Sequence, residues 1–238
     1  MRRHNPCPNV KSGPLNAPDE AGPLPEECAS FLRQIGSPDI FPEGLAEEIM
    51  VGGVRDEGEL RTFLEAYQSR FLIPLEIPAI TRARYHAACG HARELIALDA
   101  ELSVKPAWPA FASASQRIGR TQLKGLRPLR DERTLQRYLA AVEAGKAVGW
   151  HTVVYGLTLA VYSWPLRHGL VTYGRETLLA LAAAARPVNL PESVCVDILN
   201  PLLLQLPEAI ENALALIPSD PATKKAGPLH TEPSGLGN

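Results

Sequence analysis

Aromatic side chains make up only 6% of the 238 residues, although 45% of the chain is apolar. Much of the apolar content is Ala and Leu, which favours helices over strands because unbranched side chains lose little rotamer freedom in a helix. Long apolar runs are missing too. No window reaches the roughly 20 apolar residues that span a bilayer. The nearest, residues 152–166, is uncharged but short and closes on Trp164-Pro165-Leu166. The basic start, Met1-Arg2-Arg3, has no apolar stretch behind it and does not read as a secretory leader. The net charge is only −2 at pH 7, which exerts no global pull on nucleic acid or an anionic membrane. The expectation is a soluble, cytoplasmic protein with no nucleic-acid or membrane partner.

The four cysteines, Cys7, Cys28, Cys89 and Cys195, form no C-x-x-C pair. Their scatter excludes a zinc ribbon or a compact disulfide framework, and reduced thiols are expected. Catalytic signatures are also lacking: there is no G-x-x-x-x-G-K-[ST], no H-E-x-x-H and no G-x-S-x-G.

What is present is helical periodicity. Residues 1–25 hold prolines at 6, 8, 14, 18, 23 and 25 and few large apolar groups, so a disordered lead is expected there. Residues 218–238 read as a flexible tail. Residues 26–217 between them read as one all-α, bundle-like domain of about eight to ten helices, two of them short ones at 26–35 and 42–51. "DEGELRTFLEAYQSRFL" (56–72) opens with acids suited to a helix N-terminus and sets Leu60, Phe63, Leu64 and Tyr67 on one face. Pro74 and Pro78 are expected to break the chain after it, and Gly90 to divide the next two helices. The apolar pair 150–163 and 166–186 meets at Pro165, and Pro201 and Pro207 should kink or break the last helix.

Few residues suggest chemistry. His151 opens "HTVVYGLTLAVY", but a catalytic histidine needs a carboxylate, thiol or hydroxyl partner. Only Thr152 is adjacent and no acid lies on the following turns, so His151 reads as a capping or packing residue. Gly156 would let another helix approach closely. His86 and Cys89 share a helix face at i, i+3 and are of the soft type that suits nickel or zinc, with His91 nearby. No acid or second cysteine completes a ligand set. Charge is segregated: acids crowd residues 39–65, whereas Arg117, Arg120, Lys124, Arg127, Arg130, Arg133 and Arg137 follow near-helical spacing. That basic run suits a polar partner surface or a solvated face.

Several segments, taken in order, resemble the UreF family of urease accessory proteins. "GGVRDEGELRTFLEAYQSRFLIPLEIPAITRA" (52–83) is similar to its G-x-V-x-D turn, helix and Leu-Asp/Glu-x-Pro segment. "ELIALDAELS" (94–103) resembles its Leu-Asp-x-x-Leu helix, and "SASQRIGRTQL" (113–123) its Ser-x-x-x-Gly-Arg helix. "YLAAVEAGKAVGWHTVVYGLTLA" (138–160) resembles its turn, His and Val-Val-x-Gly, and the helix ending at Arg186 its Ala-Ala-x-Arg. The likeness spans about 50 to 215. The chain departs from the pattern at "SPDIFPEGLAEEIMVGG" and at "PVNLPESV", where the family's glutamines are absent, and so resembles a divergent member.

The resemblance implies an all-α homodimer that catalyses nothing itself and holds no tightly bound cofactor. It implies assembly with a scaffold protein (UreD, also called UreH) and a nickel-carrying GTPase (UreG) to load nickel into apo-urease in the cytoplasm. Gly119, Gly149, His151 and Gly156 would be structural motif residues, and Arg117, Arg120, Lys124 and Arg186 partner-facing ones. Two other readings stand beside it. One is a helical enzyme whose pocket gathers His151, Tyr155, Arg175 and Glu176; the other is a paralogue of the same fold with a different partner.

Overall fold

The computed structural model describes residues 54–104, 112–186 and 189–217, with the single residue Ala29. The helices read at 26–35 and 42–51, the N-terminal lead and the C-terminal tail lie outside the described residues. Over these residues the chain is all-α: eight α-helices and one π-helical segment, with no strand among them.

The first helix, α1 (Glu57–Tyr67), starts where the acids predict. Asp56 accepts the Glu59 amide at 2.8 Å, and the Glu59 carboxylate reaches back to the Arg55 amide at 2.7 Å. This reciprocal cap contributes about 1 kcal/mol. Leu60, Phe63, Leu64 and Tyr67 are buried as one stripe.

Pro74 does not break the chain. Residues Gln68–Glu76 pass it as a π-helical segment and run directly into α2 (Ile77–Ala88), where Pro78 sits in the first turn. A proline has no N–H to give, so its helix must lose a bond; widening the turn accommodates the loss without ending the helix. The wider turns also redirect side chains. In an α-helix, residues nine apart are rotated by about 100° nine times and face opposite ways. Across the π segment, Tyr67 and Glu76 meet at 2.8 Å.

Gly90 divides the next helices as expected. It takes φ 72°, and the Gly90 and His91 amides return to the carbonyls of Ala87 (3.1 Å) and His86 (2.8 Å). That is the Schellman ending, which needs a left-handed residue. Then follow α3 (Ala92–Ser103), α4 (Ala112–Gly125), α5 (Arg133–Glu143), α6 (His151–Val161), α7 (Leu166–Ala185) and α8 (Glu192–Ala215). Pro165 immediately precedes α7. Pro201 and Pro207 do not end α8, which runs through both.

The centre of the fold is α6, every residue of which from His151 to Leu159 is buried. It packs most extensively on α2. Gly156 makes that approach possible: a Cβ there would lie 2.5 Å from the Ile80 carbonyl oxygen and 2.7 Å from Ala83 Cβ. Leu170, Tyr173 and Leu178 of α7 complete the core, and α8 packs on α7 with Leu206 against Gly174 and buries Ile198, Leu202 and Ile210. Among the described residues α8 is the one helix whose length and hydropathy match a membrane span. Its packed side and its acids Asp197, Glu208 and Glu211 are those of a helix lying against a protein core.

Candidate functional site

The N-terminal end of α6 collects the polar groups of the core. His151 has partners on both ring nitrogens: Ser115 Oγ of α4 lies 2.6 Å from Nδ1, and the Tyr173 hydroxyl of α7 lies 2.7 Å from Nε2. The His151 amide also donates to Ser115 Oγ at 3.2 Å. Tyr173 donates onward to Glu76, which accepts Tyr67 as well. Glu76 Oε1 is 3.7 Å from His151 Nε2. Ser115, His151, Tyr173 and Glu76 thus form a continuous hydrogen-bonded chain across four elements.

Burial decides its electrostatics. All four residues are less than 10% exposed, Tyr173 completely enclosed. Desolvation pushes His151 down to about 3, so its imidazole is neutral. The 3.7 Å approach to Glu76 is therefore not a salt bridge. Desolvation pushes Glu76 up to about 7, against the pull of hydrogen bonds from Tyr67 and Tyr173. Tyr67 and Tyr173 are raised well above their ordinary range, chiefly by burial. A hydroxyl, an imidazole and a carboxyl in series are the parts of a nucleophile relay, but a relay this enclosed offers its serine to no substrate. It can hold and pass a proton.

A second buried carboxylate fixes the chain entering α6. Asp99 of α3 is fully enclosed and accepts from the amides of Val148 (2.5 Å), Gly149 (3.0 Å) and Trp150 (3.3 Å) and from the Tyr138 hydroxyl (2.5 Å). Trp150 Nε1 bonds back to the Asp99 carbonyl at 3.1 Å. A carboxylate here meets the unpaired amides and positive dipole end of α6. Gly149 adopts φ 85°. Gly119 of α4 lies against it so closely that a Cβ would fall 2.1 Å from the Gly149 carbonyl oxygen. Arg120, beside it, donates Nε to the Val148 carbonyl at 2.9 Å.

The predicted motif residues therefore converge. Gly119, Gly149 and His151 meet at one point, and Gly156 seats the same helix on α2. His151 packs rather than caps, its helix cap being Trp150 without a side-chain bond. The partners missed from sequence are Glu76, Asp99, Ser115, Tyr138 and Tyr173. All five stood inside recognised segments: Glu76 in Leu75-Glu76-Ile77-Pro78, Asp99 in the Leu-Asp-x-x-Leu helix, Ser115 opening Ser-x-x-x-Gly-Arg, Tyr138 at the start of 138–160 and Tyr173 in the helix ending at Arg186. Their separations of 36 residues to Ser115 and 22 to Tyr173 hid them from any local pattern.

Other candidates do not join this cluster. Arg117, Arg120 and Lys124 lie along the exposed side of α4, and Arg186 is exposed at the end of α7. Arg127 pairs with Glu143. Of the enzyme constellation, Tyr155 donates to the Gly169 carbonyl at 3.0 Å and lies near Tyr173, but Arg175 is exposed where the preceding Tyr173 and Gly174 are buried. The four groups do not face one pocket. His86 is buried with Nδ1 unpartnered, and His91 lies 6.2 Å from it between ring centres. Cys89 is disulfide-bonded, which corrects the reading of it as a reduced thiol and removes its sulfur as a ligand. Among the described residues no three His, Cys, Asp or Glu side chains gather for a metal.

Comparison with protein families gives a match to UreF over residues 54–189, more than half of the chain. No curated protein matches the chain.

Proposed function

The chain belongs to the UreF family of urease accessory proteins, and we propose that it assembles with the scaffold protein UreD/UreH and the nickel GTPase UreG to deliver nickel to apo-urease in the cytoplasm. In this role it binds rather than catalyses. It positions the GTPase and couples nucleotide state to metal release, which requires unequal contact with two states of the partner. Nickel is cargo of the assembly, not a resident cofactor of this chain.

The match over residues 54–189 carries this reading. Surface chemistry supports it. The exposed cations Arg117, Arg120 and Lys124 line one side of α4, and Arg186 is exposed at the end of α7; these are assigned to partner contact. On α8, Leu204 is 81% and Val196 48% exposed, outward apolar side chains on a helix whose other side is in the core. We assign this face of α8 to a homodimer, in which a two-fold axis sets α8 against its own copy.

Co-expression with UreD/UreH and UreG, affinity capture and size analysis with GTP and Mg²⁺ test the proposal. A complex of all three proteins that changes with nucleotide is expected, and Leu204→Lys should release the dimer while leaving the helical signal intact. Absence of binding in every nucleotide state, by a folded chain, would assign the fold to another partner.

A further inference from the structure

Glu76, Tyr173, His151 and Ser115 are joined so that the direction of one hydrogen bond fixes all the others. We propose that this chain is a proton-driven tautomer switch, in which proton uptake reverses every bond along it and moves the ring proton of His151 from Nε2 to Nδ1.

With Glu76 ionised, its carboxylate can only accept, so Tyr67 and Tyr173 both donate to it. The Tyr173 oxygen then accepts from His151 Nε2–H at 2.7 Å, and the bare Nδ1 accepts the Ser115 hydroxyl at 2.6 Å. A proton arriving at Ser115 Oγ sends the existing hydroxyl hydrogen to Nδ1. Nε2 passes its hydrogen to the Tyr173 oxygen, and Tyr173 passes its own to Glu76. One proton has entered and none has left. Glu76 now donates to Tyr173, Tyr173 to Nε2, and Nδ1–H to Ser115. No heavy atom moves, and imidazolium is absent from both end states.

The surroundings suit the exchange. Glu76 faces Tyr67 from α1, His151 from α6 and Tyr173 from α7, with Tyr155 behind Tyr173. From α4 the chain receives the uncharged Ser115. Gln68, on the same π segment, is turned to the Leu202 carbonyl of α8 at 3.5 Å. Burial holds Glu76 near 7 and keeps His151 neutral, so the proton resides on the carboxyl while the imidazole reports it.

The test is a titration of the full-length protein labelled with ¹⁵N-histidine, using two-bond ¹H–¹⁵N correlation spectra from pH 5.5 to 8.5, with the His151 signals assigned by their loss in His151→Gln. The expected result is a neutral ring throughout that is Nδ1–H at low pH and Nε2–H at high pH, changing over near pH 7. Tyr173→Phe removes the connecting hydroxyl, and the tautomer should then stop following pH. A single tautomer across the range in the unmodified protein, or an imidazolium signal for His151, would overturn the proposal whether or not the variant folds.

Discussion

The buried pair Glu76 and His151 makes a prediction about stability that depends on both partners. Glu76 is held near 7 in the folded chain against an ordinary value of 4.5, and His151 near 3 against 6.5. A carboxyl raised on folding binds its proton more tightly in the native state. Its contribution is complete below pH 4.5 and is lost as pH rises to about 7. An imidazole lowered on folding leaves the extra proton to the unfolded chain, so stability is lost as pH falls from 6.5 towards 3. Between pH 4.5 and 6.5 the unfolded chain carries one proton on His151 and the folded chain one on Glu76. The proton counts match, and the pair contributes no slope.

Removing either member exposes the other. Glu76→Gln should lose stability as pH falls across that window, at about 1.4 kcal/mol per pH unit, or about 3 kcal/mol in all. His151→Gln should lose about 3 kcal/mol in the opposite direction, as pH rises. Urea unfolding at half-unit steps from pH 4.5 to 6.5, each variant compared with the parent to cancel the background of other acids, measures both slopes. Slopes of the same sign, or profiles that track the parent, would refute the assignment of one shared proton to this pair.

Three further perturbations follow from the packing and hydrogen bonding. Gly119→Ala drives a methyl to within 2.1 Å of the Gly149 carbonyl, a backbone atom that cannot rotate away, and should cost about 3 kcal/mol. Gly125→Ala in the same helix meets nothing within 4 Å and should stabilise by up to about 1 kcal/mol; denaturation midpoints shifting in opposite directions verify the contrast. Asp99→Asn keeps the size of a carboxylate that accepts four donors but sets an amide N–H against one of them. A loss of about 3 kcal/mol is expected, with a changed near-ultraviolet circular dichroism signal from Trp150, whose indole bonds to residue 99.

How much of this was legible depended on whether the cause was local. The Asp56 cap, the Leu60–Tyr67 stripe, the Gly90 stop and the Pro165 junction are each decided within a few residues, and periodicity and turn chemistry revealed them. Pro74 misled because proline removes one hydrogen bond whether the chain ends or widens. The surrounding core, with Phe71 and Leu72 buried on one side, determined that it widened. Pro201 and Pro207, expected to kink or break α8, do not break it, since packing along the helix outweighs the missing bonds. His151 reads as a capping or packing residue for want of an acid nearby in sequence; its hydroxyl and carboxyl partners come from elements far away in the chain. Cys89 could not be read from spacing, because a disulfide depends on where the fold brings two thiols together.

The positions that identify the family and those proposed to serve its function are largely separate in this molecule. Glu76, Asp99, Ser115, Gly119, His151 and Gly156 come from four short motifs, and all six lie in the enclosed junction of α2, α3, α4, α6 and the π segment. Each depends on the others there: Asp99 fixes the turn against which Gly119 packs, that turn sets His151, and His151 completes the chain to Glu76. A change at any one of them acts on the fold first. The outward positions assigned to partners, Arg117, Lys124 and Arg186 on the helix surfaces and Leu204 on α8, touch none of this network, and α8 lies beyond the matched residues 54–189. Partner choice can therefore change by substitution on α8 or at Lys124 of α4 without loosening the junction, whereas Arg120 is tied to the Val148 carbonyl within it. The binding experiment and the stability experiments consequently interrogate different residues, and a chain that passes the second can still fail the first.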